Sequence, residues 1–203
     1  MASNFFAALS RMKYIERWAL MRSSRPENLS EHSLETAVIA HALATIGNVR
    51  LGKALDADRA AVIALFHDAS EIITGDMPTP VKYYNDEIRT AYKDVERVAE
   101  DRLLSKLPED LRPVYEDLFR APDSSSGAAP DPEHYLRRLV KAADKISALI
   151  KCIEEETTGN TEFRTAKASI GTALEEYASS LPEVRIFLAE FLPAYGHTLD
   201  ELS

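Results

Sequence analysis

With 203 residues, 45% of them hydrophobic and 28% charged, the chain has the composition of a folded globular protein and not of a disordered one. Its net charge of -9 argues against a nucleic-acid polymer as partner, because such binding draws on a broad basic surface. A single cysteine, Cys152, excludes an internal disulfide and favours a reducing compartment, so a cytoplasmic location is expected; no segment reaches the ~18 consecutive apolar residues of a membrane helix.

The predicted elements are all helices, since glycine is scarce and apolar residues recur at three- and four-residue spacings. The expected fold class is all-α, a single globular bundle of about six to eight helices over residues 1–203. A first helix is placed near 4–14. Residues 1–26 set Arg11, Lys13, Arg17, Arg22 and Arg25 against Glu16 alone. Such a basic segment suits a small anionic substrate, or else is a solvated helix face. A second helix is expected from about 30 to 46, with Ser30 as N-cap and Leu29 and Leu34 at the spacing of a hydrophobic staple. Leu34, Val38 and Ala42 read as its core stripe. His41 falls on that stripe as a core or boundary histidine, whereas His32 lies away from it in the first turn.

A third helix is expected over 57–73, opened by Asp56 or Asp58 and closed by Gly75, with Pro78 and Pro80 preventing continuation. Further helices are placed at 84–106, 108–120, 133–157, 160–179 and 183–192. Between two of them, "APDSSSGAAPDPE" (121–133) reads as a flexible surface loop inside one domain.

The third helix carries the chemistry. In "ALFHDASEIITGDMPTP", His67 and Asp68 are adjacent and Glu71 follows His67 by four residues, one turn on along the same face. Val62, Ile63, Ala64, Leu65, Phe66, Ala69, Ile72 and Ile73 around them leave little room for a solvated face. An ionised aspartate there costs several kcal/mol, of order ~3 or more, unless it is paired or binds a metal. Either His67 and Asp68 satisfy one another, or a cation compensates both. His32 and Asp144 tip the balance towards the cation. Asp144 lies at the margin of an apolar face formed by Leu136, Leu139, Val140, Ala143, Ser147 and Ile150, although it could also pair with Lys141, Lys145 or Lys151. Two imidazoles and two carboxylates from three helices suit one Mn, Co, Fe or Zn ion better than Mg. His134 and His197 sit in no ligand-like context.

"SEHS", "FHDASE" and "LVKAAD" together resemble the H…HD…D pattern of the HD-domain metal-dependent phosphohydrolases. "RWALMRSSRPENLSEHS", "HDASEIITGDMPTPVKYYN" and "LVKAADKISALIKCIEE" are similar to the bacterial 5'-deoxynucleotidases of the YfbR type, over most of 5–105 and 136–165. Met77 stands where that pattern has Leu. The resemblance implies a single HD-type phosphohydrolase domain that hydrolyses deoxyribonucleoside 5'-monophosphates to deoxyribonucleosides and phosphate, with His32, His67, Asp68 and Asp144 on the metal. It implies a substrate loop of Asp76, Met77, Pro78 and Thr79, with His32, Asp68 and Asp144 also within reach of the nucleotide, and a homodimer. Arg17 is the first choice for the phosphate, because a guanidinium engages two phosphoryl oxygens, and Lys82 is a weaker one. Trp18, read alone, suits a core; by resemblance it closes the pocket around a 2'-deoxyribose and excludes a 2'-hydroxyl. Glu71 and Asp76 both stand as acid/base candidates, unranked, and Glu71 could instead steady a ligating histidine. Competing functions are an HD phosphohydrolase of another small phosphate, such as a ribonucleotide or alarmone, and a non-catalytic nucleotide-binding regulator.

Overall fold

The structure, a computed structural model, describes residues 2–82, 84–120 and 132–203. Ten α-helices follow in chain order: α1 (Phe5–Leu9), α2 (Leu29–Leu51), α3 (Ala57–Phe66), α4 (Glu71–Thr74), α5 (Thr79–Lys82), α6 (Asp86–Leu104), α7 (Arg112–Phe119), α8 (Pro132–Thr157), α9 (Arg164–Ser180) and α10 (Pro182–Glu190). Short 3-10 turns cover Ser10–Tyr14, Leu192–Gly196 and Leu199–Leu202. Among the described residues the only β pairing is an isolated antiparallel bridge between Glu16 and Asn28. The all-α expectation holds. The longer helices, α2, α3 and α6 to α10, fit the expected six to eight. Most of the 121–133 loop, residues 121–131, lies outside the described residues.

Helix α2 runs through the middle, packed by α3, α8 and α10. Because neighbours surround it, its buried positions are many and mostly small: Ser33, Thr36, Ala37, Ala40, Ala44 and Gly47 join Ile39, Leu43 and Ile46. Small side chains let the helix axes approach closely. At Gly47 an added Cβ would sit 2.8 Å from Glu183 Oε1 and Leu55 Cδ1. Of the Leu34, Val38, Ala42 stripe only Ala42 packs on the core. Leu34 and Val38 are 60% and 62% exposed, and His41 is exposed beside Asp58 instead of lining a core. Residue size pointed to the wrong face of a helix whose core side is built from small groups.

Two further local expectations need correction. Asn28, not Ser30, caps α2: its side chain accepts from the Ser30 and Glu31 amides, and Glu31 reaches back to the Asn28 amide as a capping box. With Leu34 exposed, no Leu29–Leu34 staple forms, and Leu29 instead joins a second core with Phe5, Met12, Ala69, Leu103 and Leu104. The expected helix over 57–73 is broken. Asp56 caps α3 as anticipated, but α3 ends at Phe66 and residues 67–70 form a turn before α4. There the amides of Ala69, Glu71 and Ile73 bond three residues back, to Phe66, Asp68 and Ser70, which tightens the coil. The segment is also less buried than expected, since Val62, Leu65 and Ile73 stay 38–40% exposed. Gly75, at φ 74°, then turns the chain into the Asp76–Pro78 segment.

Candidate active site

The tightened turn after α3 puts His67, Asp68 and Glu71 opposite the first turn of α2 and the middle of α8. His32 is fully buried on α2. Its Nε2 lies 3.2 Å from Asp144 Oδ1 on α8 and 3.5 Å from Asp68 Oδ2; His67 Nε2 lies 3.1 Å from the same Asp68 oxygen. Donor atoms of His32, His67 and Asp68 all fall within 4.8 Å of one another, the spacing of ligands around one ion.

The protons of both imidazoles are spoken for on the far side. His67 Nδ1–H donates to the Ala64 carbonyl at 2.6 Å. The Ser147 hydroxyl donates to Glu35 Oε2 at 2.5 Å, so at 3.0 Å it accepts from His32 Nδ1–H. In the neutral rings the Nε2 lone pair of His32 therefore faces Asp144 and Asp68, with the Thr36 hydroxyl at 3.5 Å, and that of His67 faces Asp68. His67 Nε2 is buried with no hydrogen-bond partner, despite Asp68 at 3.1 Å. Lone pairs converging on anions in a buried cleft are unfavourable unless a cation lies among them, so the donor set fits a divalent metal with nitrogen and oxygen ligands.

Electrostatics point the same way. Burial opposes charge on His67, but Asp68 and Asp144 outweigh it and lift its pKa to about 9. Burial likewise works against the Asp68 carboxylate, yet His67 and His32 hold it at about 2. Asp144 is held well below the usual carboxylate range, against burial, by Lys145, His32 and His67. His32 moves down instead, through burial and then Arg17. Without a metal, the site takes up a proton in its place.

Glu71 is the odd carboxyl. It is buried at the start of α4, its Oε2 has no hydrogen-bond partner, and burial followed by Asp68 and Asp76 raises it to about 9. Asp76 is engaged: its Oδ2 accepts from the Trp18 amide at 3.2 Å. Met77 and Pro78 are half-buried beyond it, and Thr79 is exposed at the start of α5. Lys82 donates to Glu96 on α6 at 2.7 Å and lies over the Tyr92 ring, and its charge reaches Glu71.

Of the N-terminal basic residues, Arg17 alone enters the site. Its Nη1 donates to Glu27 Oε2 at 2.9 Å, its Nη2 stands 3.9 Å from Asp144 Oδ1, and its buried Nε has no partner. Arg22 is 93% exposed and pairs with Glu162. Trp18 sits beside Arg17 in the left-handed region at φ 62°, a conformation that strains a bulky residue by roughly 1–3 kcal/mol. Its ring packs edge-on against buried Phe163 at 5.3 Å, and its Nε1 donates to Glu27 Oε2 at 2.9 Å.

Sequence reasoning missed Glu27, Glu35 and Ser147. Ser147 follows Asp144 by three residues and falls on the apolar face of α8; a hydroxyl on such a face is the available signal. Glu35, three residues after His32, carried a similar one. Burial keeps the Glu35 carboxyl raised, with the Ser147 bond pulling the other way.

Comparison with known proteins fits this geometry. The sequence model of the 5'-deoxynucleotidase YfbR-like family matches residues 4–195. A 5'-deoxynucleotidase of Vibrio parahaemolyticus is 48% identical over 201 residues, covering 99% of this chain and 98% of its own. The 5'-deoxynucleotidase YfbR of Escherichia coli is 46% identical over 201 residues, covering 99% and 96%. Among solved structures, an HD-domain phosphohydrolase from Listeria innocua matches with a TM-score of 0.79 at 25% identity, over 95% of this chain and 88% of that one. A cyanophage S-2L HD phosphohydrolase, bound to dA and one catalytic Zn2+ ion, shares the fold at a TM-score of 0.57 and 17% identity, over 92% and 95%. The chain belongs to the YfbR-like 5'-deoxynucleotidase family.

Proposed function

We propose that His32, His67, Asp68 and Asp144 hold one divalent transition metal ion, and that Arg17, Trp18 and Asp76–Thr79 receive the nucleotide beside it. The chain is a metal-dependent 5'-deoxynucleotidase: it hydrolyses deoxyribonucleoside 5'-monophosphates to the deoxyribonucleoside and phosphate. The observation that carries the site assignment is the buried, unpartnered Nε2 of His67 facing Asp68, with His32 and Asp144 closing the same space.

A metal bound there supplies an acidified water and draws charge from a phosphoryl oxygen. The protein does the rest. Arg17 presents its Nε–Nη2 edge, which suits two phosphoryl oxygens at once. Glu71, free at Oε2 and pushed towards its neutral form chiefly by burial, is the group suited to hold a proton and pass it to the departing 5'-oxygen. Asp76 is the less suited of the two candidates, because its oxygen holds the Trp18 amide; its part is to fix the substrate loop against that residue. Lys82 adds positive charge at the edge of the site and steadies α5 against α6 through Glu96. His32, Asp68 and Asp144 come within reach of the same phosphate from the metal side.

Residues 1–203 are read as one domain, a reading supported by two core clusters that share Phe66, Tyr115 and Phe119. A homodimer and a cytoplasmic location complete the proposal. The exposed apolar row of Leu34, Val38 and Val49 on α2 supports the dimer, and the single cysteine together with a nucleotide substrate supports the location. Phosphate release from dAMP by chelated protein, before and after adding back Co, Mn or Zn, tests the function. Restoration by metal is expected, and release that ignores the chelator would remove the metal from the reaction.

A further inference from the structure

Glu27 bonds to both side chains on which substrate recognition rests. A single oxygen, Oε2, accepts from Arg17 Nη1 and from Trp18 Nε1, each at 2.9 Å. The glutamate is 12% exposed at its side chain, and its backbone carbonyl accepts the Arg17 amide at 2.9 Å, so backbone and side chain bind the Arg17–Trp18 pair from one side. The segment leading to Glu27 is itself pinned. Glu155, buried on α8, accepts from the Ser24 amide and hydroxyl, and the buried Lys151 beside it donates to the Arg25 carbonyl.

This arrangement decides which part of each side chain is offered to a ligand. With Nη1 committed to Glu27, Arg17 leaves its Nε–Nη2 edge for two phosphoryl oxygens; Nε is buried and unpartnered. With Nε1 committed to the same oxygen, the Trp18 ring has one orientation, braced by Phe163 on its other side. Asp76 and the Met21 amide hold the strained left-handed backbone of Trp18, and the bond at the indole tip adds the hold on its ring.

Resting on the deoxyribose reading of Trp18, we infer that Glu27 is the specificity-positioning residue of this site: it fixes Trp18 against the sugar and Arg17 against the phosphate through one shared oxygen. Its part is to position these two side chains, not to bind substrate itself.

The test uses Glu27→Ala and the conservative Glu27→Gln, which keeps an acceptor oxygen, in full-length metal-loaded protein. Trp18 is the chain's only tryptophan, so its fluorescence reports on that one ring. The expected result for Glu27→Ala is an unchanged metal content, a lower anisotropy of Trp18 emission, and a roughly tenfold fall in the dAMP-to-AMP ratio of kcat/KM, with Glu27→Gln recovering part of each. A wild-type ratio with wild-type anisotropy in Glu27→Ala would overturn the inference. So would dAMP and AMP rates that fall by one common factor while anisotropy stays put, the pattern of a merely structural residue. If the unsubstituted enzyme already hydrolyses dAMP and AMP alike, the deoxyribose reading itself fails and the selectivity claim goes with it. A selective parent with an equally selective Glu27→Ala overturns the role of Glu27 alone.

Discussion

His67 Nε2 and Asp68 Oδ2 lie 3.1 Å apart in a buried cleft with no hydrogen bond between them. Neighbouring residues in the chain, they are the closest approach of an imidazole nitrogen to a carboxylate in the site, and their geometry calls for a cation. On the proposed assignment, substituting either removes a ligand. His67→Ala or Asp68→Ala is expected to weaken metal binding by more than about 100-fold and to abolish phosphate release. Elemental analysis of the purified variants checks this, and full metal content with full activity would remove the assignment.

Metal-free protein should be most stable on the acid side of neutrality. The folded pKa of His67 is raised from 6.5 to about 9, so its contribution is complete below 6.5 and lost as pH rises towards 9. Glu71, raised from 4.5 to about 9, works in the same direction over its own wider window. Asp68, held at about 2, loses its contribution only as pH falls below 3.8. A melting temperature that declines between pH 6.5 and 9 is expected for chelated protein, with a shallower decline once metal replaces the His67 proton. Parallel thermal melts across that range decide it.

Much of this site was legible in the sequence, and the reasons differ by residue. His67, Asp68 and Glu71 stood out because charged groups in an apolar run need a partner. Asp144 stood out because it marks the edge of a clear helical stripe on α8, whose expected positions are buried. The reason that singles out His32 is a poor one: Leu34 and Val38 of the stripe it avoids are exposed, and His32 itself is on the core side. Burial of small residues leaves no size pattern to read on α2. The break in α3 was hidden as well, because nothing in "HDAS" is a helix breaker; there the His67 ring takes the Ala64 carbonyl and the following turn tightens. His32 and Glu35 meet Ser147 from far away in the chain, and Glu27 meets Arg17 and Trp18 across a non-helical loop; helical periodicity carries neither kind of information.

Arg17→Ala should separate phosphate handling from metal binding. Loss of the guanidinium is expected to lower kcat/KM by roughly 100- to 1,000-fold with metal content intact. Arg17→Lys should recover little, because a lysine ammonium cannot present two parallel donors. Steady-state kinetics with metal analysis on the same samples reads both, and coupled loss of metal would place Arg17 among the metal's supports.

Ser147→Ala tests how His32 is oriented. The hydroxyl accepts from His32 Nδ1–H and donates to Glu35 Oε2. Without it, metal affinity should drop about 10- to 100-fold while the fold is kept. Competitive titration with a metal indicator measures the change, and an unaltered affinity would show that His32 is held by packing alone.

Lys151 and Glu155 form a buried ion pair on α8, with side chains 4% and 1% exposed, that also binds the Ser24–Arg25 backbone. Removing one partner strands the other charge. Lys151→Ala is expected to cost about 3–5 kcal/mol of stability, read as a lower midpoint in urea unfolding. A midpoint equal to the parent's would mean that the pair is replaceable.

The rate of phosphate release from dAMP, compared with AMP under identical conditions in metal-reconstituted protein, bears most directly on what this enzyme does. Rapid release from dAMP with little from AMP is the predicted result. Equal release from both, or none from either at full metal occupancy, would contradict it.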